Sequence, residues 1–264
     1  MKSVTGTFAS CGDAENAIST LRSNGIEESQ ITLLLPGTPE EEAREAASVP
    51  TSETEQPGMG KAMGGVVGAA MGAAGGLSLG SIAASALIPG VGPVVALGMM
   101  GAAALGLIGG VAGVAAGKAI ENSSTHGLPK DEVFLYEDAL RKGRTVLIVL
   151  TDPDKADDVR DLLRQSGAET IDAARHTWWI GLKDVEEENY RASGGDFSTE
   201  ESVYRRGFEA ALHPDNRDKP YDEVRPTLEN EFGQECKTEC FRRGYERGRK
   251  YFEQLRAPEQ KRAA

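Results

Sequence analysis

Two kinds of periodicity alternate at the start of the chain, vanish for a long interval, and return in the same order. Val4-Thr5-Gly6-Thr7-Phe8 alternates as a half-buried strand does. Residues 13–22 then place Ala14, Ala17, Ile18 and Leu21 three and four apart, which predicts an amphipathic helix that Gly25 ends. Residues 30–35 predict a second strand, closed by Pro36-Gly37. After the interval, residues 130–142 predict a short helix, 144–150 a strongly apolar strand, 154–165 a helix ended by Gly167, and 169–173 a last strand.

The two passages are copies of one grammar. A shift of 142 positions lays Val4 on Val146, Phe8 on Leu150, Ala14 on Ala156, Leu21 on Leu163 and Gly25 on Gly167, an internal repeat. Two βαβ units can pair into one ferredoxin-like α+β sandwich if the chain returns to where it left. Residues 1–37 and 129–175 are therefore expected to form one split domain, with 38–60 as an acidic linker leading into the insertion.

The insertion has no periodicity because it has almost nothing polar. From residue 62 to 117 no side chain is charged, and Lys61 and Lys118 flank the stretch. A membrane-spanning helix needs about 20 apolar residues, so the stretch has room for two. Pro89, Gly90, Gly92 and Pro93 crowd its midpoint, where they predict a turn between two helices within residues 61–120. Gly64, Gly68, Gly72, Gly76 and Gly80 recur at every fourth position, and Gly98, Gly106 and Gly110, with Gly113 and Gly117, continue the pattern on the far side. Such stripes let helix backbones approach closely, which predicts a glycine zipper. The same stretch can be buried in lipid or in the core of an oligomer, since Gly and Ala contribute little on membrane scales.

The strand Val4-Thr5-Gly6-Thr7-Phe8, the helix start Asp13-Ala14-Glu15-Asn16-Ala17 and the exit Gly25-Ile26 to Ile31-Thr32-Leu33 resemble the bacterial general stress proteins, a heat- or low-temperature-induced family with a glycine-zipper insert. The resemblance covers roughly residues 3–175. It implies a split α/β fold and a stress or membrane-associated role, and it brings no catalytic residues.

Residues 176–264 lie beyond that resemblance. Trp178 and Trp179 follow the expected last strand, where they suit a membrane interface or a cap on the sheet, and 176–202 read as a linker. Within 203–256, Tyr204-Arg205-Arg206-Gly207-Phe208-Glu209 returns 37 positions later as Phe241-Arg242-Arg243-Gly244-Tyr245-Glu246. Each copy predicts a helix with its two aromatics on one face, and a helix bearing Tyr221, Val224, Leu228 and Phe232 lies between them. This is a small helical module. Its Arg205, Arg206, Arg242 and Arg243 are candidates for binding an acidic protein partner or lipid headgroups, with internal carboxylates as the plainer use.

Composition narrows the function. A net charge of -12 and a pI near 4.9 argue against a nucleic-acid partner, which requires a basic face. Three cysteines make no disulfide framework, and Cys236 and Cys240 form at best half a metal site. Cys11 precedes a helix start, a place where an anion can bind. No phosphate loop, nucleophile elbow or HExxH motif appears. The expectation is a non-enzymatic protein without a cofactor: a stress or scaffold protein at the cytoplasmic membrane, oligomeric through its zippers. Its alternatives are a cytoplasmic oligomer whose apolar lumen holds a lipid or quinone for a partner enzyme, and a pore.

Overall fold

The computed structural model describes residues 1–37, 83–88, 91–98 and 129–263. Over these the protein is α+β. It divides into two units, Met1–Pro129 with Tyr136–Ile171, and Lys130–Leu135 with Asp172–Ala264.

In the first unit, strand β1 (Lys2–Phe8) leads into helix α1 (Cys11–Ser23) and strand β2 (Ile31–Pro36). After the insertion, helix α2 (Val133–Arg141) precedes strand β5 (Thr145–Thr151), helix α3 (Ala156–Gln165) and the short strand β6 (Glu169–Thr170). The repeat is visible in hydrogen bonds as well as in residues. Gly25 and Gly167 both hold positive φ, +85° and +89°. Each helix stops with the same pair of bonds: Gly25 N to Arg22 O and Ile26 N to Leu21 O in the first copy, Gly167 N to Arg164 O and Ala168 N to Leu163 O in the second. These are Schellman stops, which glycine makes without the cost a Cβ brings.

With strands β3 (Ala83–Ile88) and β4 (Gly92–Leu97) from within the insertion, β1, β2, β5 and β6 form one antiparallel sheet in the order β3-β4-β2-β5-β1-β6. Val4, Phe8, Leu33, Leu35, Leu147 and Val149 turn to one face, where Ala14, Ala17, Ile18 and Leu21 of α1 and Val159 and Leu163 of α3 complete a core. The opposite face is buried too, through Thr7, Thr32, Leu34, Val94, Ala96, Val146 and Ile148. Tyr136 of α2 bonds there to Thr5, at 3.1 Å.

Three expectations are corrected. First, the middle of the apolar stretch is not helical. Ala83–Ile88 is strand β3 and Gly92–Leu97 is strand β4, a hairpin added to the free edge of β2. Gly92, at φ +104°, and Pro93 belong to β4, and Val91 N bonds Ile88 O to close the turn. Gly98 is no zipper position either. It has φ +106°, and a Cβ there would fall inside 3.0 Å of the Ile31 carbonyl oxygen, so glycine is required where the chain leaves β4 and passes β2. Pro89, Gly90, Gly64, Gly68, Gly72, Gly76, Gly80, Gly106, Gly110, Gly113 and Gly117 lie outside the described residues. Second, the last strand ends at Thr170, and Ile171–Ala192 continue as helix α4. Third, most of the expected linker 176–202 is that helix, and Trp178 and Trp179 are buried in the second unit.

Candidate functional site: the paired glycine helices

The second unit grows from helix α4 (Ile171–Ala192), helix α5 (Phe197–Leu212), helix α6 (Tyr221–Phe232) and helix α7 (Glu239–Ala263). Local chemistry sets their limits. The Asp196 side chain accepts from Ser198 N and caps α5, and Thr238 Oγ1 accepts from Phe241 N at the start of α7. Gly194, at φ +84°, turns the chain between α4 and α5.

The repeated motif forms the crossing of α5 and α7. A Cβ on Gly207 would press within 3.0 Å of the Phe241 carbonyl, and a Cβ on Gly244 would press equally on the Tyr204 carbonyl. The relation is reciprocal: each glycine meets the backbone of the aromatic residue that opens the other copy. Gly248 makes a third such approach, to the Phe208 carbonyl. The motif aromatics are all buried, Tyr204 and Phe208 on α5, Phe241 and Tyr245 on α7. Trp178 packs edge-on to Phe208 and tilted to Phe134, with ring centroids at 5.9 and 4.7 Å. Tyr245 donates to the carbonyl of Asn216 or Lys219, each at 3.1 Å, and burial pushes its phenol up to about 12.

The four motif arginines are held within the module. Arg205 and Arg242 each reach the glutamate four residues on, Glu209 at 2.6 Å and Glu246 at 3.1 Å. Each also lies over a ring, Trp179 and Tyr221 respectively. Arg206 pairs with Glu235 at 2.7 Å, and Arg243 with Glu239 at 3.1 Å and the Ser193 hydroxyl.

A polar cavity of about 140 Å³ opens between Asp131, Arg175, Arg206, Glu209, His213 and Asn216. Its cations are engaged: Arg175 bonds Glu209 at 2.5 Å and approaches Asp131 at 3.5 Å, and Arg206 holds Glu235.

The pair that sequence reasoning missed is buried. Glu186 of α4, 2% exposed, accepts from Arg247 at 2.9 and 2.5 Å and from the Tyr204 hydroxyl at 2.7 Å. Burial and the Glu186 carboxylate both push the Tyr204 phenol up. A charge at a position that reads as solvent-facing gave no signal in the sequence.

Cys236 and Cys240 are not placed together on one helix. Cys236 lies in a 3-10 turn, Glu235–Lys237, and donates to Gly233 O; Cys240 lies in α7 and donates to Glu200 O. Among the described residues no three His, Cys, Asp or Glu side chains converge on a metal position. The helix start at Cys11 is filled by its own residues, since Ser10 caps Asp13 N and donates to the Asp13 carboxylate. Burial pushes the Cys11 thiol up to about 11, with Glu15 adding to the effect, and burial also raises Cys236 and Cys240. All three thiols should therefore react slowly with iodoacetamide at pH 8, and at the free-cysteine rate only in urea. Quantitative native-state labelling within minutes would contradict this placement.

No family model matches the chain, and no curated protein or solved structure does so.

Proposed function

We propose that the protein is a non-enzymatic scaffold of the general-stress type that assembles with copies of itself by burying its glycine-patterned apolar tract. Two further features support the split ferredoxin-like reading. They are the strand order β2-β5-β1-β6 over the repeated units and the matching helix stops.

The observation that carries the proposal is the position of the β3–β4 hairpin. Its outer strand ends are neighbours, Ala83 opposite Leu97. The chain therefore enters and leaves the hairpin at neighbouring points, the arrangement that burial of both flanking apolar tracts in one place requires. The hairpin is also fixed to the sheet: Pro36 pairs with Val94, and Gly37 N bonds Pro93 O at 2.8 Å. A membrane span between 61 and 83 would place Lys61 across the bilayer from Gly37. Residues 38–60, with six glutamates, would then have to cross back. Charged residues at a bilayer centre cost about 2.5–3.5 kcal/mol each on insertion scales, which favours burial between copies over that path. Burial of the tract between copies requires no such crossing. No helix of the described residues is long and apolar enough to cross a membrane.

The test is mass and partition. Expressed without detergent, the protein is expected as a discrete particle of several 28.0 kDa chains. Gly72→Ile with Gly76→Ile should reduce that particle severalfold in mass, since the close backbone approach is lost. Organic extraction of the particle then shows whether a lipid or quinone travels inside. Pelleting with membranes through a carbonate wash, with release only by detergent, overturns the proposal in favour of insertion.

A further inference from the structure

One short segment sits apart from its neighbours in the chain. Lys130–Leu135 belongs with Asp172–Ala264, while Pro129 before it and Tyr136 after it belong with the first unit. The segment is a 3-10 turn, Lys130–Glu132, followed by the first turn of α2, and it is held on the helical module as a strap. Val133, Phe134 and Leu135 are 1%, 5% and 2% exposed. The Phe134 ring stands 4.7 Å from that of Trp178, and the Arg175 guanidinium lies over it at 5.5 Å. Lys130 bonds Asp215 at 2.9 Å, and Asp131 approaches Arg175 at 3.5 Å. Each of these pairs has an exposed carboxylate and contributes little, so apolar burial, that of Phe134 above all, holds the strap. Helix α2 runs on unbroken to Arg141, and from Tyr136 onward it belongs to the first unit. There Tyr136 bonds Thr5 of β1, and Ala139 and Leu140 are buried.

We infer that this strap makes the fold of the helical module conditional on the fold of the split α/β domain. A 3-10 turn and one helical turn are too short to persist alone, because helix nucleation is costly. The strap keeps its shape because the rest of α2 is held in the first unit. If that unit unfolds, docking the strap also requires closing the loop 136–171, which costs further entropy. Without the strap, Trp178 loses a ring partner and the core of the module is left open. Anything that orders the first unit therefore stabilises the module as well. The inference stands on this packing and does not rest on the self-assembly proposed above.

The experiment is urea unfolding of the full chain with two probes. Tryptophan fluorescence reports the second unit, where both tryptophans lie, and amide exchange of 145–151 reports the sheet. In the wild type both should change at one midpoint. Leu163 lies in a core cluster made of first-unit residues, so Leu163→Ala attacks that unit alone. It should lower the fluorescence midpoint by about 1 M together with the amide midpoint. Phe134→Ala should move the fluorescence transition to lower urea and part it from the amide transition. Adding Leu163→Ala to that variant should then move the fluorescence no further. A fluorescence midpoint that ignores Leu163→Ala while the amide midpoint falls overturns the inference. So does a doubly substituted protein in which Leu163→Ala still shifts the fluorescence. If Phe134→Ala leaves the module unfolded without urea, the comparison of wild type with Leu163→Ala decides alone.

Discussion

Gly244→Ala is expected to lower the stability of the helical module by about 2–3 kcal/mol, the range for forcing atoms into a packed site. Gly181→Ala, at an exposed position of helix α4, is expected to raise it by about 0.5–1 kcal/mol. Both substitutions add one methyl to a helix and gain the same backbone entropy. What separates them is what the methyl meets. At Gly181 nothing lies within 4 Å, whereas at Gly244 the new Cβ would press inside 3.0 Å of the Tyr204 carbonyl. Backbone cannot swing aside as a side-chain tip can, so α5 and α7 must separate, and the buried aromatics between them lose contacts. Gly207→Ala should cost a similar amount, because it meets the Phe241 carbonyl in the same way. The double substitution should cost less than the sum, since the first has already parted the helices. Urea unfolding followed by tryptophan fluorescence measures all four, as both tryptophans are buried in this unit. Equal effects at Gly181 and Gly244 would show that the crossing is looser than the structure has it.

That crossing was half legible in the sequence. The 37-residue repeat and the aromatic spacing marked two core helices, and Tyr204, Phe208, Phe241 and Tyr245 are indeed buried. The role of the glycine between them was not legible, because a single glycine in a helix reads as a tolerated defect until its neighbour is known. The α/β repeat was read more fully. Alternation, amphipathic spacing and terminal glycines are local signals, and the elements they predicted from β1 to α3 lie within a few residues of the observed ones.

The errors share one physical origin. Residues 83–88 and 92–97 are short apolar runs on either side of a Pro/Gly cluster, and such runs carry no period that separates strand from buried helix. Their length suited strands, and Val94 and Val95 favour the pleat, yet the long apolar context suggested helices. What decides the matter is tertiary: β2 has an edge to fill, and Gly98 lets the chain pass the Ile31 carbonyl. In the same way 184–192 reads as an acidic linker because Glu186, Glu187 and Glu188 look solvent-facing. It is helical because Trp179, Glu186 and Tyr190 fall on one buried face, and the burial of Glu186 depends on an arginine 61 residues away.

Arg247→Ala should therefore be the most damaging change to charge among the described residues, costing about 3–5 kcal/mol, the usual result of leaving a buried ion without its partner. Glu186 is almost wholly buried, while the Arg247 side chain keeps 28% of its surface exposed. Losing the cation thus harms more than losing the anion, and Glu186→Gln should cost less, since water can take up part of the freed guanidinium. Glu186→Gln with Arg247→Met removes both charges and keeps much of the packing volume, and it should recover most of the loss, because the pair owes little net stability to its charge. Urea midpoints of the three variants decide it. A loss in Arg247→Ala no larger than that in Glu186→Gln would mean that water reaches Glu186, and that the arginine serves chiefly to pack its aliphatic stem.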